Sequence, residues 1–106
     1  MQEVGLGRLL KTYRAITNIK EEAFAGAILT SKVSFYKLEN LASVSDISDD
    51  MLFRLFYFFK LKRDDDMTAN AIKNQILISI TKEINARSLK NSLTEDTVSL
   101  VRKLKL

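Results

Sequence analysis

Cysteine, histidine, proline and tryptophan are all missing from this 106-residue chain, and glycine occurs only three times. Without cysteine there is no disulfide frame, no thiolate metal site and no cysteine nucleophile. Without histidine, imidazole catalysis and nearly every zinc site are excluded. No apolar run reaches the roughly 18 residues that a membrane helix needs. The amino terminus lacks a basic stretch followed by an apolar block, so no secretory signal is expected. With no proline, and with Gly5, Gly7 and Gly26 confined to the first quarter, few positions force the backbone out of a helix. An all-α fold is expected.

What is present fits a small, soluble, cytoplasmic protein. Apolar residues make up 46% and charged residues 28%, with seventeen Lys and Arg against thirteen Asp and Glu. That length holds one domain, or one small domain with an extension, and not two independent cores. No cofactor site is expected. No enzyme is expected either, since Tyr13, Tyr36 and the serines have no candidate base beyond carboxylates and lysines. The run Asp64-Asp65-Asp66, beside Lys60, Lys62 and Arg63, reads as a solvated hinge rather than a divalent-metal site.

Helical spacing organises the chain. Leu6, Leu9, Leu10 and Tyr13 predict a first helix from about Leu6 to Ile16, broken at Thr17-Asn18. A second starts near Lys20, with Glu21 and Glu22 suited to the positive end of its dipole, and carries Ala23, Phe24, Ala25 and Ile28. Thr30-Ser31 is an N-cap pair for a third helix, about Ser31 to Asn40. Leu41 to Ser48 reads as a loop. Ser48 or Asp49 can cap a fourth helix, Asp50 to about Leu61, although the aromatic run Phe53 to Phe59 also suits a strand. Ile72, Ile76, Ile80 and Ile84 mark a fifth helix, about Thr68 to Ala86. Ser92-Leu93-Thr94-Glu95 is a capping box that opens a sixth, striped by Leu93, Thr97, Leu100, Val101 and Leu104.

The third helix carries the candidate site. With Phe35 and Leu38 turned inward, Lys32, Val33, Tyr36 and Lys37 form an outward row on adjoining faces. Lysines can contact guanine acceptors or phosphates, Tyr36 can donate to a phosphate, and Val33 can touch a thymine methyl. Two short helices in tandem with such a row make a helix-turn-helix candidate. The spacing alone suits an ordinary solvated face equally well.

The stretch Asn18-Ile19-Lys20-Glu21-Glu22-Ala23-Phe24-Ala25, then Ile28, Thr30-Ser31, Phe35 and Leu38-Glu39-Asn40, resembles the helix-turn-helix domain of the lambda-repressor/Cro (XRE) family. Ser31 to Glu39 followed by Ser45-Asp46-Ile47-Ser48 is similar to the amino-terminal domain of Rgg-like regulators. The resemblance spans residues 6–61 and implies a four-helix DNA-binding domain, residues 1–63, followed by two carboxy-terminal helices. By position it implies base reading by Lys32, Val33, Tyr36 and Lys37, with Ser31 capping the helix and touching phosphate. It also implies an ion pair between Arg14 and Glu39. Leu29 stands where the family's turn usually has Gly, so an unstrained or longer turn is expected there. Glu21 stands where many relatives have a phosphate-binding Gln.

Charge is unevenly spread. Residues 1–40 hold six basic and four acidic side chains, residues 41–66 four and six, and residues 67–106 seven and three. A near-neutral DNA-binding domain binds weakly, because counterion release drives most non-specific affinity. Two copies on a palindromic site would offset that. The wide apolar stripes of residues 67–106 suit dimerisation, and the alternative is that they fold back on their own domain. The expectation is a dimeric, sequence-specific regulator that binds double-stranded DNA. The alternative is an interaction module, of antitoxin or antirepressor type, that holds a partner protein through its apolar helices.

Overall fold

Capping decides where most of the helices begin. The computed structural model describes residues 5–41 and 43–87, and the regular structure among them is entirely helical. Helix α1 spans Leu6–Thr17, α2 Glu21–Ala27, α3 Lys32–Glu39, α4 Asp49–Leu61 and α5 Met67–Ala86, with one 3-10 turn at Val44–Asp46. Ser31 accepts from the Ser34 amide, Ser48 from that of Met51 and Asp66 from that of Ala69, so α3, α4 and α5 each start on a side-chain cap. The choice between Ser48 and Asp49 thus falls on Ser48. The 3-10 turn interrupts the expected 41–48 loop, and α5 starts one residue before the expected Thr68. The sixth helix expected from Ser92 lies outside the described residues.

Helices α1 and α2 end alike. Asn18 adopts φ 57, with its amide bonded to the Ala15 carbonyl and the Ile19 amide to that of Arg14. Leu29 also adopts φ 57, with its amide on the Gly26 carbonyl and the Thr30 amide on that of Ala25. Both are Schellman endings, which satisfy the last carbonyls of a helix through one left-handed residue. Asparagine tolerates that conformation better than most residues.

The aromatic run forms a helix because its rings are shared between neighbours. Phe24 of α2 stacks on Phe35 of α3 at 4.9 Å between centroids and meets Phe58 of α4 at 4.7 Å. Phe59 packs edge-on against Tyr13 of α1 at 5.0 Å. Each aromatic pair adds about 0.5–1.5 kcal/mol beyond its area burial. Helix α5 packs on α1 and α4, and its Ala69, Ile76 and Ile80 join the same buried cluster. Ile72 and Ile84, the outer members of the four-residue repeat, are half-buried, and Ile78 is exposed.

Two polar arrangements lock the helices together. Arg14 Nε donates to Glu39 Oε2 at 2.9 Å and Arg14 Nη2 to Oε1 at 3.3 Å, which ties α1 to the end of α3. The second arrangement corrects the solvated-hinge reading of the acidic run. Asp64 is largely buried: it accepts from Tyr13 Oη at 2.7 Å and from Lys62 Nζ at 2.8 Å, with Lys73 Nζ 3.8 Å away. Burial pushes its carboxyl up, but the hydrogen bonds from Lys62 and Tyr13 and the charges of Lys62 and Lys73 outweigh that and hold it below the usual value. Asp66 caps α5, and Asp65 is exposed. Lysines on both sides of the run supply counter-charge where solvent was expected.

Close approach of α1 to α3 depends on Gly7. A Cβ there would sit 2.5 Å from the Glu39 carbonyl oxygen and 2.8 Å from its carbon. Those are backbone atoms and cannot swing aside, so Gly7→Ala should destabilise the fold by about 1–3 kcal/mol through overpacking. Chemical denaturation would measure this, with the solvent-facing Gly26→Ala as a near-neutral control. Tyr13 gives a second expectation. Burial, then the hydrogen bond to Asp64 and its charge, push the phenol far above its ordinary value of 10.0. The folded phenol stays protonated where the unfolded one ionises, so its contribution is complete below about pH 10 and declines as pH rises further. Tyr13→Phe should cost about 1 kcal/mol at neutral pH and flatten the decline that begins at about pH 10 and continues above it. Paired urea titrations of both proteins across this range read the difference.

Candidate nucleic-acid interface

The short helix α3 is anchored on one side and open on the other. Phe35 and Leu38 are buried, as is the Glu39 carboxylate, whose side chain is 1% exposed. At about 100° per residue, Lys32, Tyr36, Val33 and Lys37 fan across roughly 140° of the opposite surface. All four are exposed, Val33 by 65% and Tyr36 by 59%. The structure therefore brings these four candidate residues together on one surface. Ser31 stands at its edge, where its hydroxyl accepts from the Ser34 amide at 3.1 Å and donates to Ser34 Oγ at 3.0 Å. That cap leaves the hydroxyl of Ser31 already engaged.

The charges around the start of α3 are mixed. Lys32 Nζ lies 3.5 Å from Glu22 Oε1, the first turn of α2 reaching across to the first residue of α3. Glu21 Oε1 lies 3.6 Å from Arg14 Nη2, on the outer side of the Arg14–Glu39 pair. The Glu39 hydrogen bond, against the cost of burial, raises the Arg14 guanidinium above its usual value, and Glu21 adds to that. Beside the far end of the row, a shallow recess of about 340 Å³ is edged by Thr30, Ser34, Lys37 and Ser48, with Arg54 and the Asp46 carboxylate also in its wall. Hydroxyls and an ammonium at its rim are donors suited to an anionic backbone.

Comparison of the chain with family models, curated proteins and solved structures gave no match. The likeness to the repressor family accordingly rests on the residues quoted above. Among the described residues no group of three His, Cys, Asp or Glu side chains could hold a metal ion, and no helix is long and apolar enough to cross a membrane.

The turn between α2 and α3 departs from the expected unstrained or longer form. Leu29 enters the left-handed region at φ 57, which costs a non-glycine residue roughly 1–2 kcal/mol. A residue that the sequence pattern left unmarked holds it there. Arg54, on α4, donates from Nη1 to the carbonyl oxygens of Leu29 at 2.7 Å and Ile28 at 3.1 Å, while Nη2 pairs with Asp50 one turn earlier. Its only sequence signal was a cation at an i,i+4 spacing from Asp50 within an otherwise apolar run. Arg54→Ala would leave both carbonyls without the Nη1 donor they share, and a hydrogen bond from a charged group contributes about 1.5–3 kcal/mol. A loss of about 2–3 kcal/mol is expected, with faster amide exchange at Leu29 and Thr30 than at α5 as the local signature.

Proposed function

We propose that this chain is a sequence-specific DNA-binding transcriptional regulator of the lambda-repressor/Cro type. In this reading α2 and α3 form a helix-turn-helix, and α3 enters the major groove. The observation that carries it is the division of α3 into two faces: Phe35 and Leu38 buried, Lys32, Val33, Tyr36 and Lys37 exposed together. A helix that reads bases needs a rigid seat and a row of side chains reaching outward, and Arg14, Arg54 and Gly7 supply the seat. Lys32 and Lys37 offer donors to guanine, and Val33 offers an apolar contact to a thymine methyl. Thr30, Ser34 and Ser48 stand where a phosphate could follow the row. Near-neutral charge over residues 1–66 calls for two copies on a palindrome, which raises affinity through local concentration. No catalytic role is part of this reading.

A second reading follows from Ile78, which is 57% exposed on α5 and lines, with Leu9, Val44 and Ala86, the apolar side of a groove of about 430 Å³ whose other side is Gln75, Ser79, Lys82 and Glu83. Exposed apolar surface of this kind suits a partner protein, and an antitoxin-like module would use it.

One experiment separates the two. In a gel shift on the DNA flanking its own coding sequence, the wild-type chain should retard a discrete site, more weakly at about 200 mM than at about 50 mM salt. Lys32→Ala with Lys37→Ala should remove the preference for that site, each lysine being worth about 1–3 kcal/mol of discrimination. An unchanged preference in the double variant would remove α3 from the reading. One stoichiometric protein partner with no DNA bound would favour the interaction module.

A further inference from the structure

We infer that residues 92–104 of this same chain return along α5 as a helix and fill the groove beside Ile78, whether or not the chain binds DNA. The groove follows one face of α5: Gln75, Ile78, Ser79, Lys82 and Ala86 line it, with Leu9 of α1 and Val44 of the 3-10 turn alongside. From Gln75 to Ala86 that face runs about 16 Å. It stops one residue short of Arg87, the last described residue. Ile78 is 57% exposed in its middle, and Ala86 is exposed at its end. Residues 92–104 offer a stripe to match. Leu93, Thr97, Leu100, Val101 and Leu104 are spaced four, three, one and three apart, the α5 positions in reverse order. Two helices laid antiparallel with such stripes meet along one seam. The capping box Ser92-Leu93-Thr94-Glu95 sets the start of the returning helix, whose length of about 20 Å covers the groove.

Reach, charge and area select this occupant. Residues 88–91 are a usual length of connection between antiparallel helices. They span up to about 13 Å, more than the roughly 8–10 Å between packed helix axes. The capped end therefore lies beside Ala86 and the other end beside Gln75. That direction sets Glu95 and Asp96 near Lys82, which is exposed and forms no ion pair with another described residue. Glu83, the acidic residue of the groove, is already bonded by Arg87 at 2.7 Å, so its charge is met. A parallel placement would bring Arg102 and Lys103 against Lys82 instead. A second copy of the chain is a poorer fit. A stable interface hides about 800 Å² on each partner, and about three turns of one helix face with Ile78 as its large exposed apolar side chain fall short of that. A tethered segment needs less area, because its local concentration is on the order of millimolar. A separate protein partner would have to displace it.

The chain has no cysteine, so a pair of introduced cysteines reports the contact directly. In the antiparallel register Ser79 faces Leu100, whereas Thr81 is exposed on α5 outside the groove. Oxidised at low concentration, the full chain with Ser79→Cys and Leu100→Cys should close a disulfide within one chain. It should do so about tenfold faster than Thr81→Cys with Leu100→Cys, since a disulfide needs Cα atoms within about 7 Å. Amide exchange, read where the chain sediments as a monomer, supplies a measurement free of cysteines. In the wild type the amides of residues 97–101 should exchange about tenfold more slowly than in Leu100→Asp, with protection in α1 to α4 the same in both proteins. A disulfide that joins two chains would assign the groove to a second copy and overturn the inference. Equal rates for the two cysteine pairs, or unprotected amides at 97–101 in the wild type, would overturn it as well. If the cysteine variants fold poorly, exchange in the wild type decides. None of these results alters the α3 row, so the DNA-binding reading stands or falls on its own test.

Discussion

The carboxylate of Glu39 is the constraint around which the rest is arranged. A charge with 1% of its side chain exposed is costly unless it is paired and hydrogen-bonded. Arg14 meets both oxygens with its planar fork, a geometry that a lysine does not provide. For the fork to reach, α1 must cross α3 at close range, and Gly7 permits that by leaving room for the backbone of residues 38 and 39. Helix α3 is therefore fixed at its last turn by charge and along its length by Phe35 and Leu38. What remains exposed on it is a consequence of what had to be hidden.

Two further polar ties extend this rigidity across the molecule. Arg54 passes from α4 to the turn that precedes α3, and Asp64 gathers Tyr13, Lys62 and Lys73 so that α1, the end of α4 and α5 share one anchor. At the far end of α5, Arg87 bonds Glu83, Asp49 and the carbonyls of Val44 and Ser45. Apolar packing is nondirectional, and these contacts supply the direction. They are why α3 presents one particular set of residues and not an equivalent set rotated by one position.

Much of this was legible in the sequence for local reasons. Caps and apolar spacing placed the described helices within a residue or so, since Ser31 and Ser48 act on amides three residues away, whereas the Asp66 cap of α5 was hidden in a run that read as a hinge. The α3 row was equally legible, because burying Phe35 and Leu38 leaves Lys32, Val33, Tyr36 and Lys37 on the other side. The Arg14–Glu39 pair was foreseen from the family resemblance and not from spacing. What escaped was long-range: Gly7 looks like any weak helix former until Glu39 lies against it. Arg54 reaches carbonyls 25 and 26 positions away, and Asp64 sits among charges that suggest water. A one-dimensional pattern records the periodicity of an element but not what crosses it.

The left-handed geometry at Leu29 restricts how this position can drift over evolutionary time. Asparagine, aspartate and glycine fit such a backbone readily, whereas valine, isoleucine and threonine clash with their own main chain through the branch at Cβ. A leucine there is a compromise, partly sheltered by its neighbours and kept in place by a guanidinium from α4. The identities of residues 29 and 54 should therefore be coupled among descendants of this sequence. A lineage that acquires glycine at 29 relaxes the demand on 54, and one that loses the arginine first narrows the alphabet open to 29.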